Sequence, residues 1–227
     1  MRDNDNVFFY VDDILVLSDS IEELYETLDK LFARLREFGI TINTFKSCFL
    51  MTSLDFLGYH FIARKGFQPS ARKIGVIKDF PIPTRLTDLR SFLGIAQYFA
   101  QFIPLYSTTA APLYKLLRKD QPFTWGPDQQ KAFDSLKNKL TSYPTLRFPI
   151  TDKLIHIETD ASRSGLGAVM YQDHGVLAYT SRSLSKSELN YCATSLELAA
   201  IKFALDSHHS TPVSYTHLRA HETRYDL

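Results

Sequence analysis

The sequence predicts a mixed α/β chain: a short acidic hairpin with one helix, a helical middle, and a strand-rich unit closed by a helix. Residues 7–17 set two apolar, β-forming runs on either side of Asp12-Asp13, which reads as buried strands joined by a tight acidic turn. Between Leu89 and Leu140 apolar residues recur at helical spacing. From Leu154 the pattern turns to short strands separated by glycines and then to one helix, the order expected of an α/β unit.

The elements follow in order. Ser20 and Glu23 form a capping-box pattern and Gly39 suits a left-handed stop, so a helix is expected between them. Its apolar stripe is Ile21, Leu24, Leu28, Leu31, Leu35 and Phe38, widened by Tyr25 and Phe32. Leu54 to Phe61 has strand character, with Gly58 where a backbone approaches something closely. Pro81 and Pro83 mark a linker, since each removes a donor and disfavours helix before it. Leu89, Phe92, Leu93, Ala96, Phe99 and Ile103 then read as a second amphipathic helix, and a short helix is expected after Pro112. Gly126-Pro127 opens a third, placing proline at the first helical position, with Phe133, Leu136 and Leu140 on the buried side. Pro144 and Pro149 close this region, so a domain boundary is expected near residue 150. Strands are expected at 154–160, 166–172 and 176–182, with Gly165, Gly167 and Gly175 at or near the turns. A helix from about Ser187 carries Leu196, Ala199, Ala200 and Phe203 along one side.

After about His208 the apolar period stops. His217 and His221 are four apart, a spacing that on a helix lets two histidines share a metal. The run from Val213 to Leu227 instead resembles a tail translated from library adaptor sequence, foreign to the fold.

Whole-chain properties exclude several classes. No stretch approaches the roughly 18 uninterrupted apolar residues of a membrane span, and Met1–Asn6 is not built like a signal peptide. With Cys48 and Cys192 alone, a disulfide framework is implausible. An intracellular, non-secreted setting is expected, in a cytoplasmic particle or the nucleus. The net charge of +1 is uninformative, but its distribution is not. Residues 1–63 are acidic, whereas residues 64–90 carry Arg64, Lys65, Arg72, Lys73, Lys78, Arg85 and Arg90 against Asp79 and Asp88. A basic segment after an acidic one can track a phosphate backbone beside a metal site; it can equally be an ordinary solvated face.

Two adjacent carboxylates on a rigid turn repel each other unless a cation relieves them. Mg²⁺ suits that role because it takes hard oxygen ligands and shares its remaining positions with water and phosphate. Aspartate is also frequent in turns, so Asp12-Asp13 taken alone indicates a turn. The surrounding block Phe9-Tyr10-Val11-Asp12-Asp13-Ile14-Leu15-Val16-Leu17-Ser18 resembles the polymerase signature of reverse transcriptases. The resemblance continues in order. Phe56-Leu57-Gly58-Tyr59 is similar to the strand that grips the primer end in that family. Leu89-Arg90-Ser91-Phe92-Leu93-Gly94, with Tyr98 and Phe102-Ile103, resembles the thumb-like segment of gypsy-type LTR retrotransposons. Phe123-Thr124-Trp125 and Ala132–Lys137 resemble their connecting region, and Thr159-Asp160-Ala161-Ser162 with Gly165–Val169 resembles the opening of their RNase H.

The resemblance implies a partial reverse transcriptase palm hairpin with helical thumb and connection, followed by a truncated RNase H-like domain. Residues 1–63 would be the end of the palm with a primer-grip-like strand, 64–150 the thumb and connection, 151–210 the RNase H-like part, and 211–227 a non-native tail. Asp12 and Asp13 would join a third aspartate around two Mg²⁺ ions, while Tyr10, Val11 and residues Phe56, Leu57, Gly58 and Tyr59 would lie against the template-primer. Asp160 and Glu197 would converge on two further Mg²⁺ ions that activate water against an RNA phosphodiester. Deoxynucleoside triphosphates and RNA–DNA hybrid are the implied partners, and nothing fixes the oligomeric state. The family's third polymerase carboxylate precedes the signature and its later RNase H acids follow the helix, so the 227-residue chain is expected to be inactive by itself. Three alternatives stand beside this: a non-catalytic nucleic-acid- or protein-binding module, a relic with no function, and a diguanylate-type palm enzyme. The last explains the acidic hairpin but not the block from Thr159 to Val169.

Overall fold

A computed structural model describes residues 6–119, 121–150, 153–207 and 216–220, the last as backbone. The chain divides into two compact units, Met1–Thr52 and Ser53–Leu227. The division falls inside the segment 1–63 and leaves the strands around Gly58 with the helical middle.

In the first unit, β1 (Val7–Tyr10) and β2 (Asp13–Val16) pair antiparallel with Tyr10 opposite Asp13. The helix α1 (Ile21–Glu37) follows. Ser20 caps it, accepting the Glu23 amide at 3.1 Å, while the Glu23 carboxylate reaches back to the Asp19 amide at 3.2 Å. At the other end Gly39, with φ +66, lets the Ile40 amide reach Leu35 O at 2.9 Å, closing the helix as the glycine suggested. Of the expected stripe, Leu31 and Leu35 are buried, whereas Ile21, Tyr25 and Phe38 are exposed. Within this unit β2 is the strand that packs on α1, so only the centre of the stripe is covered.

The second unit begins with an antiparallel sheet, β3 (Ser53–Phe56), β4 (Tyr59–Ile62) and β5 (Gly66–Pro69). The expected single strand from Leu54 to Phe61 is therefore a hairpin. Leu57 and Gly58, with φ +49 and +81, reverse the chain between Phe56 and Tyr59, the sign pattern of a type I′ turn. The helix α2 (Ala71–Lys78) follows, occupying part of the basic stretch where no helix was expected.

One core of this unit is built by four helices, with Ile77 contributed by α2, and the aromatic face of β4 and β5. In α3 (Leu86–Tyr98) the residues Leu89, Phe92, Leu93 and Ala96 are buried, as are Phe99 and Ile103 just beyond it. The next helix, α4 (Tyr106–Lys115), starts before Pro112 and contains it, against the expectation of a helix after that proline. Pro112 gives up one backbone bond in the helix, while Ala110 and Leu113 on either side are fully buried. In α5 (Pro127–Thr141) Phe133, Leu136 and Leu140 are buried, and Gln129 Oε1 accepts the Gly126 amide at 3.1 Å to close the first turn.

The final sheet has the order β8-β7-β6-β9. Here β6 (Ile155–Ser162), β7 (Gly165–Gln172) and β8 (Gly175–Arg182) are antiparallel, within two residues of their expected bounds. The strand β9 (Thr216–Ala220) lies parallel to β6, so part of the segment set aside as a tail is paired in the sheet. Helical spacing between His217 and His221 does not apply there, and His221 lies outside the described residues. The helix α6 (Ala193–Ser207) starts later than Ser187. Before it, Glu188 receives two bonds from the Arg182 guanidinium, at 2.6 and 2.7 Å, and one from the Ser185 amide at 2.8 Å, holding a separate 3₁₀ turn over Glu188–Asn190. Leu196, Ala200 and Ala204 carry the buried side of α6, which packs on β6 and β7.

This sheet and the preceding helices fall in the same compact unit. The strand β8 packs on α4, and the Ser107 amide donates to Ser181 Oγ at 2.9 Å. Among the described residues, no helix is long and apolar enough to cross a membrane.

Candidate active sites

The acidic hairpin in the first unit is a two-residue turn, Val11-Asp12, between paired Tyr10 and Asp13. Val11 has φ +51 and is 88% exposed. Positive φ at the first turn position alone is the sign pattern of a type II′ turn, which normally takes glycine there. A β-branched residue in that conformation costs about 1–3 kcal/mol. The turn therefore thrusts Val11 outward and leaves Asp12 and Asp13 exposed at the tip, with no side-chain hydrogen-bond or ion-pair partner among the described residues. Tyr10 is also exposed.

The second carboxylate pair lies in the second unit. Asp160 sits in β6 opposite Gly167, and Glu197 projects from the first turns of α6. Glu197 Oε2 is buried without a hydrogen-bond partner. Burial first, and then the negative charge of Asp160, push the Glu197 carboxyl above its ordinary range. A buried carboxylate oxygen lacking a donor, beside a second carboxylate, is the arrangement a divalent cation relieves. The donor set thus fits Mg²⁺: two hard carboxylates at the end of a strand and on a neighbouring helix. Among the described residues neither Asp12-Asp13 nor Asp160 and Glu197 are joined by a third carboxylate, histidine or cysteine placed to complete a metal site.

The segment Phe56–Tyr59 forms a third feature. Both carbonyls of its turn are held: the Tyr98 hydroxyl donates to Leu57 O, and the Ser70 amide donates to Gly58 O at 2.9 Å. Gly58 lies under other chain atoms, since a Cβ there would sit 3.4 Å from Lys73 Cε and 3.7 Å from Tyr98 Cε1. Tyr59 stacks on Tyr98 with ring centroids 5.2 Å apart, donates its hydroxyl to Tyr98 O at 3.2 Å, and accepts from Gln101 at 3.1 Å. Burial, reinforced by the Tyr98 hydroxyl, pushes the Tyr59 phenol up and keeps it a neutral donor. The sequence points to the turn and, separately, to Tyr98, but not to the link between them. No local pattern signals it, because the partner Leu57 lies 41 residues away in the chain.

The mixed fold and its two carboxylate pairs lead to the class that the comparisons with known proteins show, reverse transcriptase with RNase H. Residues 1–61 match the family described as reverse transcriptase (RNA-dependent DNA polymerase), and residues 125–216 match the RNase H-like domain found in reverse transcriptase. The chain is 34% identical over 202 residues to the retrovirus-related Pol polyprotein from transposon 412 of Drosophila melanogaster, covering 87% of this chain and 16% of that protein. It is 36% identical over 201 residues to the transposon Tf2-3 polyprotein of Schizosaccharomyces pombe, covering 86% of this chain and 15% of the other. The fold of a foamy viral protease-reverse transcriptase solved with an RNA/DNA hybrid superposes with a TM-score of 0.83 at 21% identity, over 96% of this chain and 30% of that one. A related foamy viral structure with double-stranded DNA gives 0.78 at 20% identity, over 100% of this chain and 57% of the other. The chain belongs to the retrotransposon Pol family and is a reverse transcriptase/RNase H segment of such a polyprotein, spanning about a sixth of the length of these curated relatives.

Proposed function

We propose that this segment serves RNA-directed DNA synthesis and hybrid-specific RNA cleavage in its parent polyprotein. Asp12 and Asp13 act in synthesis, and Asp160 and Glu197 act in cleavage. The observation that carries this is the buried, unpartnered Glu197 Oε2 beside Asp160, because a cation-free carboxylate in that position destabilises the fold it sits in. When bound, Mg²⁺, two ions per site in the intact parent, would supply Lewis-acid charge stabilisation and an activated oxygen nucleophile. The chain's own residues do the rest. Asp12 and Asp13 present carboxylate oxygens at an exposed turn, and Tyr10 and Val11 flank them as a surface for the last template-primer pair. Phe56, Leu57, Gly58 and Tyr59 form a fixed turn for the primer backbone.

The partners on this reading are template-primer, RNA–DNA hybrid and deoxynucleoside triphosphates. The foamy viral structures, solved with hybrid or duplex DNA, support the nucleic-acid part. The gypsy-type assignment rests on the run Leu89–Gly94 with Tyr98, and the intracellular setting on the same kinship. Each carboxylate pair lacks a third ligand among the described residues, so the 227-residue chain by itself is expected to show neither activity.

The test is separation of function in a longer Pol polypeptide containing this chain. Asp12→Asn or Asp13→Asn abolishes primer extension and spares hybrid cleavage, whereas Asp160→Asn or Glu197→Gln does the reverse. Loss of both activities in all four variants, or of neither, contradicts the assignment. So does Mg²⁺-dependent primer extension by the purified 227-residue chain, for the inactivity of the segment.

A further inference from the structure

The turn that the proposed function sets against the primer is not held by its own sheet alone. A type I′ turn favours Asn-Gly or Asp-Gly, yet here a leucine occupies the first position with φ +49. A hydrophobic, unbranched-at-Cβ residue has no local side-chain bond to stabilise a left-handed conformation. The conformation is maintained from outside, and contacts that do so converge on one residue, Tyr98.

We infer that Tyr98 is a positioning residue for primer-end binding, a latch that couples the last turn of α3 to the turn at Leu57-Gly58. Three contacts meet on it. Its hydroxyl donates to Leu57 O, its ring stacks on Tyr59 at 5.2 Å and 22°, and its own carbonyl accepts the Tyr59 hydroxyl at 3.2 Å. The hydroxyl of Tyr98 thus reaches the turn, and the hydroxyl of Tyr59 reaches the end of α3. Tyr98 is 48% exposed, unlike its neighbours Ala96 and Phe99, which are 0% and 1% exposed. Core packing thus does not account for a tyrosine here. The remaining turn carbonyl, Gly58 O, is held by the Ser70 amide at the start of α2. The aliphatic part of Lys73 covers Gly58, which brings the basic stretch to the tip of the turn.

The consequence is mechanical. A shift of α3, the thumb-like helix, is transmitted through Tyr98 to the backbone of the turn, so grip on the primer end follows the position of that helix. Removing only the hydroxyl should loosen the turn while leaving the ring stack and the fold in place.

This inference rests on the reading of Phe56–Tyr59 as a primer-end contact, and the experiment separates the two. Binding of the full 227-residue chain is measured to a DNA primer on an RNA template with a recessed 3′ end. The comparison ligand is a closed dumbbell duplex of equal length with no free end. The parent is expected to prefer the recessed end. Tyr98→Phe is expected to lose about fivefold to tenfold of that preference, the equivalent of one hydrogen bond, with dumbbell affinity and thermal stability nearly unchanged. Leu57→Asn keeps a residue suited to positive φ but replaces the apolar side chain at the turn with a polar one, and it is expected to alter the preference too. A merely structural role for Tyr98 would weaken both ligands equally. If Leu57→Asn changes end preference and Tyr98→Phe does not, the latch is refuted and the primer-end reading survives. If the parent shows no end preference, or neither variant alters it, the primer-end reading falls and the latch with it. Amide hydrogen exchange at Tyr59 and Ser70 gives a second readout: faster exchange in Tyr98→Phe supports the latch, and unchanged exchange overturns it.

Discussion

The substitution Gly66→Ala should damage this protein more than any other single methyl addition in the sheet that carries the primer-end turn. Gly66 opens β5 with φ +139, where an L residue is strained by about 1–3 kcal/mol. The added Cβ would lie 1.9 Å from Leu146 O, 2.9 Å from Leu146 C and 3.1 Å from Arg147 Cα. All three are backbone atoms, so no side chain can swing aside. The segment must separate, and it is joined by two bonds, Phe67 N to Leu146 O at 2.8 Å and Leu146 N to Phe67 O at 3.0 Å. Leu146 is fully buried, so these groups do not regain water, and each lost bond costs about 1 kcal/mol. The sum is about 3–5 kcal/mol, or roughly 10 °C in Tm for a unit of this size. Urea denaturation followed by fluorescence of the sole tryptophan, Trp125, which packs on Phe133 at 5.8 Å, measures it. Gly75→Ala is the control: Gly75 lies inside α2 with nothing within 4 Å of a Cβ, and it should gain about 0.5–1 kcal/mol from helix propensity. A loss below 1 kcal/mol for Gly66→Ala would show that the Leu146 backbone yields without losing its pairing to Phe67.

Three further outcomes are expected. The Arg182 guanidinium, with the Ser185 amide and hydroxyl, holds the Glu188 carboxyl down at about 2 from its ordinary 4.5. Its folded-state value lies below the unfolded one, so its stabilisation is present above about pH 4.5 and lost as pH falls toward 2. The stability gap between parent and Glu188→Gln should therefore narrow over that window in urea titrations, and a pH-independent gap contradicts it. Val11→Gly relieves the left-handed valine and should stabilise the first unit by about 1 kcal/mol while weakening template-primer binding; tighter binding argues against a surface role for Val11. Glu197→Gln removes a charge that has one oxygen buried beside Asp160, so the metal-free chain at pH 7 should become more stable and lose any stabilisation by added Mg²⁺. A destabilised, still Mg²⁺-responsive variant would contradict this.

Periodicity made the interior of the fold legible, and the exceptions have physical causes. The α3 and α5 faces were readable because Leu89, Phe92, Phe133 and Leu136 sit at helical spacing and are buried. The hairpin at Leu57-Gly58 was hidden because its first turn residue is hydrophobic, so two four-residue strands ran together as one. The strand β5 and helix α2 are short, and their partners, β4 and Leu146 for β5 and α5 for α2, are fixed by tertiary pairing that no local pattern encodes. The roles proposed for the carboxylates come from family resemblance alone. Neither Asp160 nor Glu197 stands out from composition, because what distinguishes Glu197 is the burial of one oxygen, set by the packing of α6 on β6.

The most direct measurement is Mn²⁺ titration of the labelled 227-residue chain, followed by paramagnetic broadening of its amide resonances. Broadening centred on Asp160 and Glu197, abolished by Glu197→Gln, is the expected result and establishes that the pair holds a divalent cation. Broadening that ignores both residues, or that survives the substitution unchanged, would contradict the assignment of this pair as a metal site.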